Sequence, residues 1–228
     1  MTAGASRARR GGTGHLRAGT GPHQSRGRRL PGATLALAHA ATGRLASAVQ
    51  LAIDGVATAN ARRFCFVWLL DIQGSVLLAA QRVDEAASVA TAALEMARAQ
   101  AEQGHEARAL LLLGVISGRQ PAAVEASLGL FDAALALADR LRMRPLRARC
   151  HLARAEVLSR AGRHDQVRPS LAVAIEEFRA MEMKGWLRQA EALEATIQGS
   201  TFLRERSATL NGPGATVISR VRQDPNTV

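Results

Sequence analysis

Tyrosine is absent from the chain, and aromatic residues make up only 3% of its 228 positions. The apolar residues, 47% of the total, are mainly Ala and Leu, which form helices readily and strands poorly. The composition therefore predicts helices. This apolar share is enough to bury the core of one sizeable domain or of two small ones.

Cysteine and lysine are almost missing. Cys65 and Cys150 are the only cysteines, and their wide spacing forms neither a disulfide framework nor a zinc motif. We expect both to be buried apolar residues in a reducing compartment, the cytoplasm. Lys184 is the single lysine beside 29 arginines, and Gly185 follows it. A phosphate-binding loop needs Lys and then Ser or Thr after a Gly-rich turn, so the sequence excludes that loop.

Long apolar runs are also missing. Arg or Asp interrupts each stretch that approaches about 18 residues, so the sequence predicts no membrane span. Arg28-Arg29-Leu30 and the segment up to Ala41 are similar to a twin-arginine export signal, with Ala38-His39-Ala40 as its cleavage site. That apolar segment is short, however, and contains a histidine. The repeat pattern described below accounts for the same residues better.

The positive charge is concentrated in the first residues of the chain. The formal net charge is +11, and residues 1–30 contain seven Arg and no acidic residue. Residues 31–197 contain 19 basic and 17 acidic residues and are nearly neutral. We expect residues 1–31 to form a disordered basic arm, because low hydrophobicity with high net charge prevents folding. Alternatively, residues 1–30 contact nucleic acid weakly and nonspecifically, as in a nucleic-acid-associated transcriptional regulator.

Helical stretches and short connections alternate from residue 33 to residue 197. Apolar residues recur at intervals of three and four, as in Leu70, Leu77 and Leu78, which gives each helix one buried stripe. Breaks are expected at Gly43, Gln81-Arg82, Gly104, Gly118–Pro121, Met143–Pro145, Gly162 and Gly185. Connections this short join antiparallel helices.

Three of these breaks are flanked in the same way, which indicates an internal repeat. The three segments are Gly43–Ala48, Gln81–Ala86 and Gly162–Val167. A small residue stands twelve positions before the end of each segment, and Gly114 marks a further unit with a longer turn. These small residues are Ala36, Gly74, Gly114 and Ala155, at spacings of 38, 40 and 41 residues. They would allow the two helices of a pair to approach closely.

The repeat predicts an all-α, tetratricopeptide-like solenoid of about four antiparallel helix pairs with a C-terminal capping helix. Its best unit matches the tetratricopeptide offsets at Leu70, Gly74, Leu77, Ala86 and Ala93, although the period exceeds the usual one of about 34 residues. An ordinary bundle whose alanine content imitates a repeat is the alternative. We place the repeat domain at residues 32–197, with Trp186 as the anchor of the cap. We expect a disordered tail over residues 198–228.

The first helices of such a stack line a concave face, which repeat proteins use as an extended binding surface. The tetratricopeptide offsets place eight residues on that face: Trp68, Asp71, Ser75, Arg108, Arg119, Arg149, Glu156 and Arg160. Because this set is net basic, we expect a protein partner or an acidic peptide segment to bind there. The alternative is an ordinary solvated surface on which Arg replaces Lys.

Catalytic and metal-binding patterns are not evident in the sequence. His39, His105, His151 and His164 lack the spacing of a metal site, and the acidic residues are scattered over predicted helix surfaces. Ser75 lies near a glycine but lacks the pattern of a nucleophile elbow. We expect no catalytic residue, no cofactor and no metal, and therefore a protein that is not an enzyme.

The later units are similar to a known family. The similarity is carried by Gly104–Ala107, Leu113-Gly114, Ala134–Ala138, Met143–Leu146, Arg149–Leu152, Ala161–Arg163, Met183 and Trp186–Glu191. These residues resemble the C-terminal tetratricopeptide region of large bacterial regulators that also contain a class III adenylate cyclase domain and a predicted signalling ATPase. The resemblance covers about residues 33–195, and the chain departs from the family pattern at Ala153–Ala155 and Val167. It implies a fragment or remnant of such a regulator, without the enzymatic domains that lie upstream.

Overall fold

The computed structural model describes residues 31–60 and 66–210, and within them every regular element is helical. The helices are α1 (Pro31–Ala41), α2 (Leu45–Asn60), α3 (Phe66–Ala79), α4 (Val83–Ala99), α5 (Gln103–Ser117), α6 (Val124–Arg140), α7 (Arg144–Arg160), α8 (His164–Ala180) and α9 (Lys184–Leu210). A short 3-10 turn, Pro121–Ala123, precedes α6. The helices pair in chain order, and α9 follows the fourth pair. The predicted tetratricopeptide-like solenoid is confirmed.

The first helices of the pairs form an inner row. Helices adjacent in the chain pack against each other, and α1 also contacts α3, α3 contacts α5, α5 contacts α7 and α7 contacts α9. No comparable contact joins the second helices of successive pairs in the described part of the chain. A stack in which one row is in contact and the other is spread apart curves towards the row in contact. The first helices therefore line the concave face, as in other helical solenoids.

Small residues lie where the helices approach most closely. Ala36 and Ala155 are fully buried. A Cβ atom on Gly114 would lie 2.5 Å from Cε1 of Phe131, on the partner helix of the same pair. A Cβ atom on Gly74 would lie 2.7 Å from Cδ2 of Leu112, which belongs to the next pair. Gly114 therefore permits close packing within a pair, as the sequence predicted, whereas Gly74 mainly permits close packing between two pairs.

Six helix ends share one backbone geometry. Each has a residue with φ between 54° and 77°, and these residues are Gly43, Gln81, Ala101, Arg142, Gly162 and Glu182. The amide that follows each of them donates a hydrogen bond of 2.8–3.0 Å to the carbonyl five positions earlier, as Arg82 does to Leu77. This is the Schellman motif, in which the left-handed position is most often Gly. Four of the six turns use another residue there.

This geometry explains why several predicted breaks were displaced. The breaks expected at Gly104, Met143–Pro145 and Gly185 were placed too late, because the turns are centred on Ala101, Arg142 and Glu182. Gly104 and Gly185 instead lie in the first turns of α5 and α9. At both glycines, the glycine suggested the position of the turn. The residue with left-handed backbone geometry lies earlier in the chain and is Ala101 or Glu182.

The last helix is longer than predicted. Trp186 packs on Phe178 of α8, with ring centroids 6.1 Å apart, and so holds α9 on the stack. The helix continues to Leu210, past the predicted end of the repeat domain at residue 197. Residues 201–210 contain neither Gly nor Pro, and the helix breakers come only with Gly212 and Pro213. The rest of the tail and residues 1–30 of the predicted arm lie outside the described residues.

Two helices concern the earlier predictions about a membrane span and an export signal. Among the described residues, the segment Pro121–Arg140 alone is long and apolar enough, by length and composition, to cross a membrane, which the sequence analysis did not predict. Its helix α6 buries Leu128, Phe131 and Ala134 as the second helix of a pair, between α5 and α7. Helix α1 is the segment that is similar to an export signal, and it buries Ala33. Both segments thus contribute to the core of the stack.

Candidate functional site

A cavity of about 220 Å³ lies on the concave face, where α3, α5, α7 and α9 meet. We call it the inner cavity. Five of the eight predicted groove residues line it, namely Asp71, Ser75, Arg108, Arg149 and Glu156. The other lining residues are Leu78, Leu111, Leu112, Val115, Leu152, Ala153, Trp186 and Gln189. Sequence reasoning thus found much of the polar lining and missed the apolar lining.

The cation of Arg108 is paired inside the inner cavity. Its Nε and Nη2 atoms both donate hydrogen bonds to Oδ2 of Asp71, at 2.8 and 2.5 Å. Asp71 is a buried residue, and the bonds connect α5 to α3. A charge-assisted pair of this kind is stronger than a neutral hydrogen bond. Asp71 and Arg108 therefore neutralise each other and leave little charge for a ligand.

Arg149 has no acidic partner in the described part of the chain. Its guanidinium carbon lies 5.0 Å from the ring centre of Trp186, a cation–π contact. Its Nε atom is buried and has no hydrogen-bond partner. Burial lowers the pKa of Arg149, and repulsion from Arg108 lowers it further, but arginine stays protonated in proteins. The inner cavity therefore contains a half-buried guanidinium without an ion pair of its own, although the carboxylate of Asp71, which is bound to Arg108, acts in the opposite direction on the pKa of Arg149.

Glu156 lies on the same helix as Arg149 but forms its hydrogen bond with a residue of α9. Gln189 on α9 donates a hydrogen bond of 2.7 Å from Nε2 to the Oε1 atom of Glu156. Burial raises the pKa of Glu156, while the bond from Gln189 and the charge of Arg160 act in the opposite direction. The carboxyl group is therefore easier to protonate than that of an exposed glutamate.

The polar residues of the concave face connect successive pairs. Donor and acceptor are 37 residues apart for Asp71 and Arg108, and 33 residues apart for Glu156 and Gln189. Arg119 donates to the side chain of Gln81, 38 residues earlier, at 2.7 Å. Each separation is close to one repeat. These contacts, which the sequence analysis did not predict, connect one helix pair of the stack to the next.

Three predicted residues lie outside the inner cavity. Trp68 packs on the apolar cluster under the first two helix pairs. Arg119 is exposed, and Arg160 donates a long hydrogen bond of 3.4 Å to the carbonyl of Gly118. Conversely, Trp186 lines the inner cavity although the sequence suggested only a role in the cap. Its position 37 residues after Arg149 matches the separation of Asp71 and Arg108, and this spacing could have identified it.

Three other arginines of α7 form ion pairs away from the inner cavity. Arg144 and Arg147 both pair with Glu177 on α8, and Arg154 pairs with Asp132 on α6. Their charges are therefore largely balanced by acidic residues of the second helices. Of the arginines of α7, only Arg149 lines the inner cavity.

Groups with reactive chemistry are few in the described part of the chain. Cys150 is buried, as predicted, and burial raises its pKa to about 12, so its thiol is inert at neutral pH. Within residues 31–60 and 66–210, no three His, Cys, Asp or Glu side chains lie together as metal ligands would. Cys65, the other predicted buried thiol, lies outside these residues.

Comparison with known proteins supports the fold. No protein-family model and no curated protein sequence matches the chain. Among solved structures, it is similar to aspartyl phosphate phosphatase F from Bacillus subtilis, a tetratricopeptide-like helical repeat protein, with a TM-score of 0.60 and 14% identity. The match covers 79% of this chain and 50% of that one, so the chain spans about half the length of this neighbour. The resemblance to cyclase and ATPase regulators and the cytoplasmic location stay predictions.

Proposed function

We propose that this protein is a non-catalytic interaction module that binds an acidic segment of a partner protein across the inner cavity. The observation that carries the proposal is Arg149, a half-buried guanidinium without an acidic partner among the described residues. A buried charge is costly unless it is paired, so a ligand carboxylate would complete the site. Its position on the concave face agrees with the surface that helical repeats use for binding.

The size of the inner cavity favours a peptide over a cofactor. Its volume of about 220 Å³ is smaller than the roughly 300–1,000 Å³ of typical small-molecule pockets. A space of this size suits one side chain, and the remainder of a bound segment would lie along the row of first helices. Arg119 and Arg160 lie outside the inner cavity and are exposed further along this row, where each already donates a hydrogen bond within the stack, to Gln81 and to the carbonyl of Gly118.

The proposal assigns no reaction to the chain. Of the possible bases and nucleophiles that line the inner cavity, Asp71 is held by Arg108, Glu156 accepts a hydrogen bond from Gln189, and Ser75 has no His or Lys in the same lining. The solved neighbour is named as a phosphatase, but a likeness at 14% identity carries the fold alone. Release of phosphate from an acyl phosphate substrate by the purified chain would contradict the non-catalytic assignment.

We also propose, from the residue resemblance, that the chain derives from the repeat region of a cyclase- and ATPase-type signalling regulator. The support is the set of matching residues in α5 to α9, including Met143–Leu146 and Trp186–Glu191. The DNA upstream of the coding sequence tests this origin. An in-phase cyclase or ATPase reading frame is expected, and unrelated sequence there would contradict it.

A binding experiment tests the interaction function. Labelled pools of acidic peptides, and the same pools with Gln and Asn in place of Glu and Asp, are titrated with the full chain and followed by fluorescence anisotropy. We expect the acidic pool to bind, and Arg149→Gln to weaken this binding roughly ten- to a hundredfold, since a charged hydrogen bond contributes about 1.5–3 kcal/mol. The matched control is Arg140→Gln, an exposed arginine on α6, which should bind like the unmodified chain.

Two results would contradict the interaction function or replace it. If neither pool binds, the module does not recognise short peptides. If instead the chain binds duplex DNA with strong salt dependence, and deletion of residues 1–30 removes that binding, the nucleic-acid alternative is supported.

A further inference from the structure

The inner cavity places apolar surface directly beside the unpaired charge. Leu152 and Ala153 follow Arg149 on α7 by three and four positions, so they share its face of the helix. Leu111 and Leu112 stand in the same relation to Arg108 on α5. The ring of Trp186 covers the guanidinium from α9. A ligand group that reaches Arg149 therefore lies beside apolar as well as polar lining, and we expect apolar neighbours of that group to fit against the apolar part.

The charges in the inner cavity favour one negative charge over two. Arg108 is already bound to Asp71, so Arg149 is the one arginine of the lining without a partner. Two carboxyl groups, those of Asp71 and Glu156, lie in the same lining. The cost of removing an anion from water grows with the square of its charge, whereas its attraction to Arg149 grows only in proportion to that charge. A dianionic phosphate therefore costs more to bury here than a single carboxylate does, with only one unpaired arginine to compensate it.

We propose that the inner cavity is a subsite for one Glu or Asp side chain flanked by apolar residues of a partner segment, and that it discriminates against phosphorylated side chains. This inference rests on the proposed interaction function. The ligand carboxylate accepts hydrogen bonds from Arg149, whose Nε–H lacks an acceptor. The methylene groups of the acidic residue lie against Trp186, and its apolar neighbours lie against the leucines of α5 and α7.

Trp186 provides a local readout of this subsite. The chain contains two tryptophans, and the other one, Trp68, packs in the separate apolar cluster at the start of the stack. In a Trp68→Phe background, tryptophan fluorescence reports on Trp186 alone. A carboxylate that draws Arg149 away from the ring changes this emission, whereas a peptide that binds elsewhere on the stack leaves it unchanged.

The test uses the full chain with Trp68→Phe and three libraries of acetylated and amidated peptides. Their centres are Leu-Glu-Leu, Leu-Gln-Leu and Leu-phosphoserine-Leu, with randomised flanks. We expect the Glu library to bind about tenfold more tightly than the Gln library and to shift the emission of Trp186. The phosphoserine library should bind no more tightly than the Gln library. Arg149→Gln should abolish the preference for Glu, Arg149→Lys should reduce it, and Arg140→Gln should leave it unchanged.

Several outcomes would overturn the inference. The phosphoserine library could bind as tightly as the Glu library, or Arg149→Gln could keep the preference for Glu. Equal binding of the Glu and Gln libraries without a change at Trp186 would also overturn the subsite, yet it would leave the interaction function standing. If no library binds, both proposals fail. The phosphoserine comparison needs no substitution at Arg149. It therefore tests the proposed subsite even if the Arg149 variants fold poorly.

Discussion

The carboxylate of Asp71 accepts two hydrogen bonds from Arg108 and thereby joins α3 to α5 across the junction of two helix pairs. The side chain of Asp71 is 10% exposed and that of Arg108 is 31% exposed. We expect Asp71→Asn to lower the free energy of unfolding by about 2 kcal/mol, because it leaves a partly buried guanidinium without its counter-charge. Urea denaturation followed by circular dichroism measures this loss.

A double-mutant cycle measures the interaction free energy between Asp71 and Arg108, which can be compared with that of an exposed ion pair. Asp71→Asn combined with Arg108→Gln should cost less than the sum of the two single substitutions. Arg82 and Glu85, an exposed pair within one turn of the chain, provide the matched control cycle and should show no measurable coupling. Equal coupling in the two cycles would contradict a special role for the inner pair.

Gly114 and Gly129 are predicted to respond in opposite ways to the same added methyl group. A Cβ atom on Gly114 would lie 2.5 Å from Cε1 of Phe131, a fully buried ring that cannot move aside. Gly129 is exposed in the middle of α6, and no atom lies within 4 Å of its added Cβ. We expect Gly114→Ala to destabilise the fold by about 2 kcal/mol through overpacking. Gly129→Ala should stabilise it by about 0.5–1 kcal/mol through helix propensity.

The two glycine variants control for each other in thermal or urea unfolding, since both lie in helices of the same pair. Similar small effects at both positions would mean that α5 and α6 are not in close contact at Gly114. In that case, the small residues of the repeat would need an explanation other than helix packing.

Replacement of Ala101 by glycine is expected to stabilise the fold. It lies at the left-handed position of the turn between α4 and α5, with φ of 55°, where a side chain is strained and Gly is not. Ala101→Gly should therefore raise the free energy of unfolding by about 0.5–1 kcal/mol, net of the greater backbone entropy of Gly in the unfolded chain. The control is Ala92→Gly, an exposed position within α4, which should cost about 1 kcal/mol. Destabilisation by both substitutions would contradict the turn geometry.

These turns show how much of the fold can be predicted by inspecting the sequence. The number of helix pairs and the fold class could be predicted, because the buried stripe and the small residues Gly74, Gly114 and Ala155 repeat along the chain. The turns at Gly43 and Gly162 could be placed because Gly occupies the left-handed position. Those at Arg142 and Glu182 could not be placed, since the Schellman hydrogen bonds there are formed around residues with no turn preference of their own.

The candidate site was predictable only in part. The offsets of a known repeat placed Asp71, Arg108 and Arg149 on the concave face, but they gave no information about which charges neutralise each other. The pairing of Asp71 with Arg108 leaves the charge of Arg149 unbalanced, and this follows from three-dimensional contacts alone. Trp186 was missed because an aromatic residue near the end of the repeats was interpreted only as an anchor of the cap.

Glu156 should make the stability of the protein depend on pH in a defined direction. Burial raises its pKa in the folded state above the ordinary value of 4.5, so the folded chain binds this proton more tightly than the unfolded chain does. The resulting stabilisation is fully present below pH 4.5 and is lost as the pH rises through the raised pKa. Glu156→Gln removes the titration and can still accept the hydrogen bond from Gln189.

We therefore expect the stability of Glu156→Gln, relative to the unmodified chain, to increase from pH 4.5 upwards and to become constant above the folded pKa. Urea unfolding between pH 4 and pH 8 measures this difference, in which the titrations shared by both proteins cancel. Glu95→Gln, at an exposed glutamate on α4, is the matched control substitution. A difference that stays constant with pH for Glu156→Gln would mean that water reaches this carboxyl group freely. Water in the inner cavity would then already stabilise the charge of Arg149. A ligand carboxylate would gain little by pairing with that arginine, which would contradict the proposed binding site.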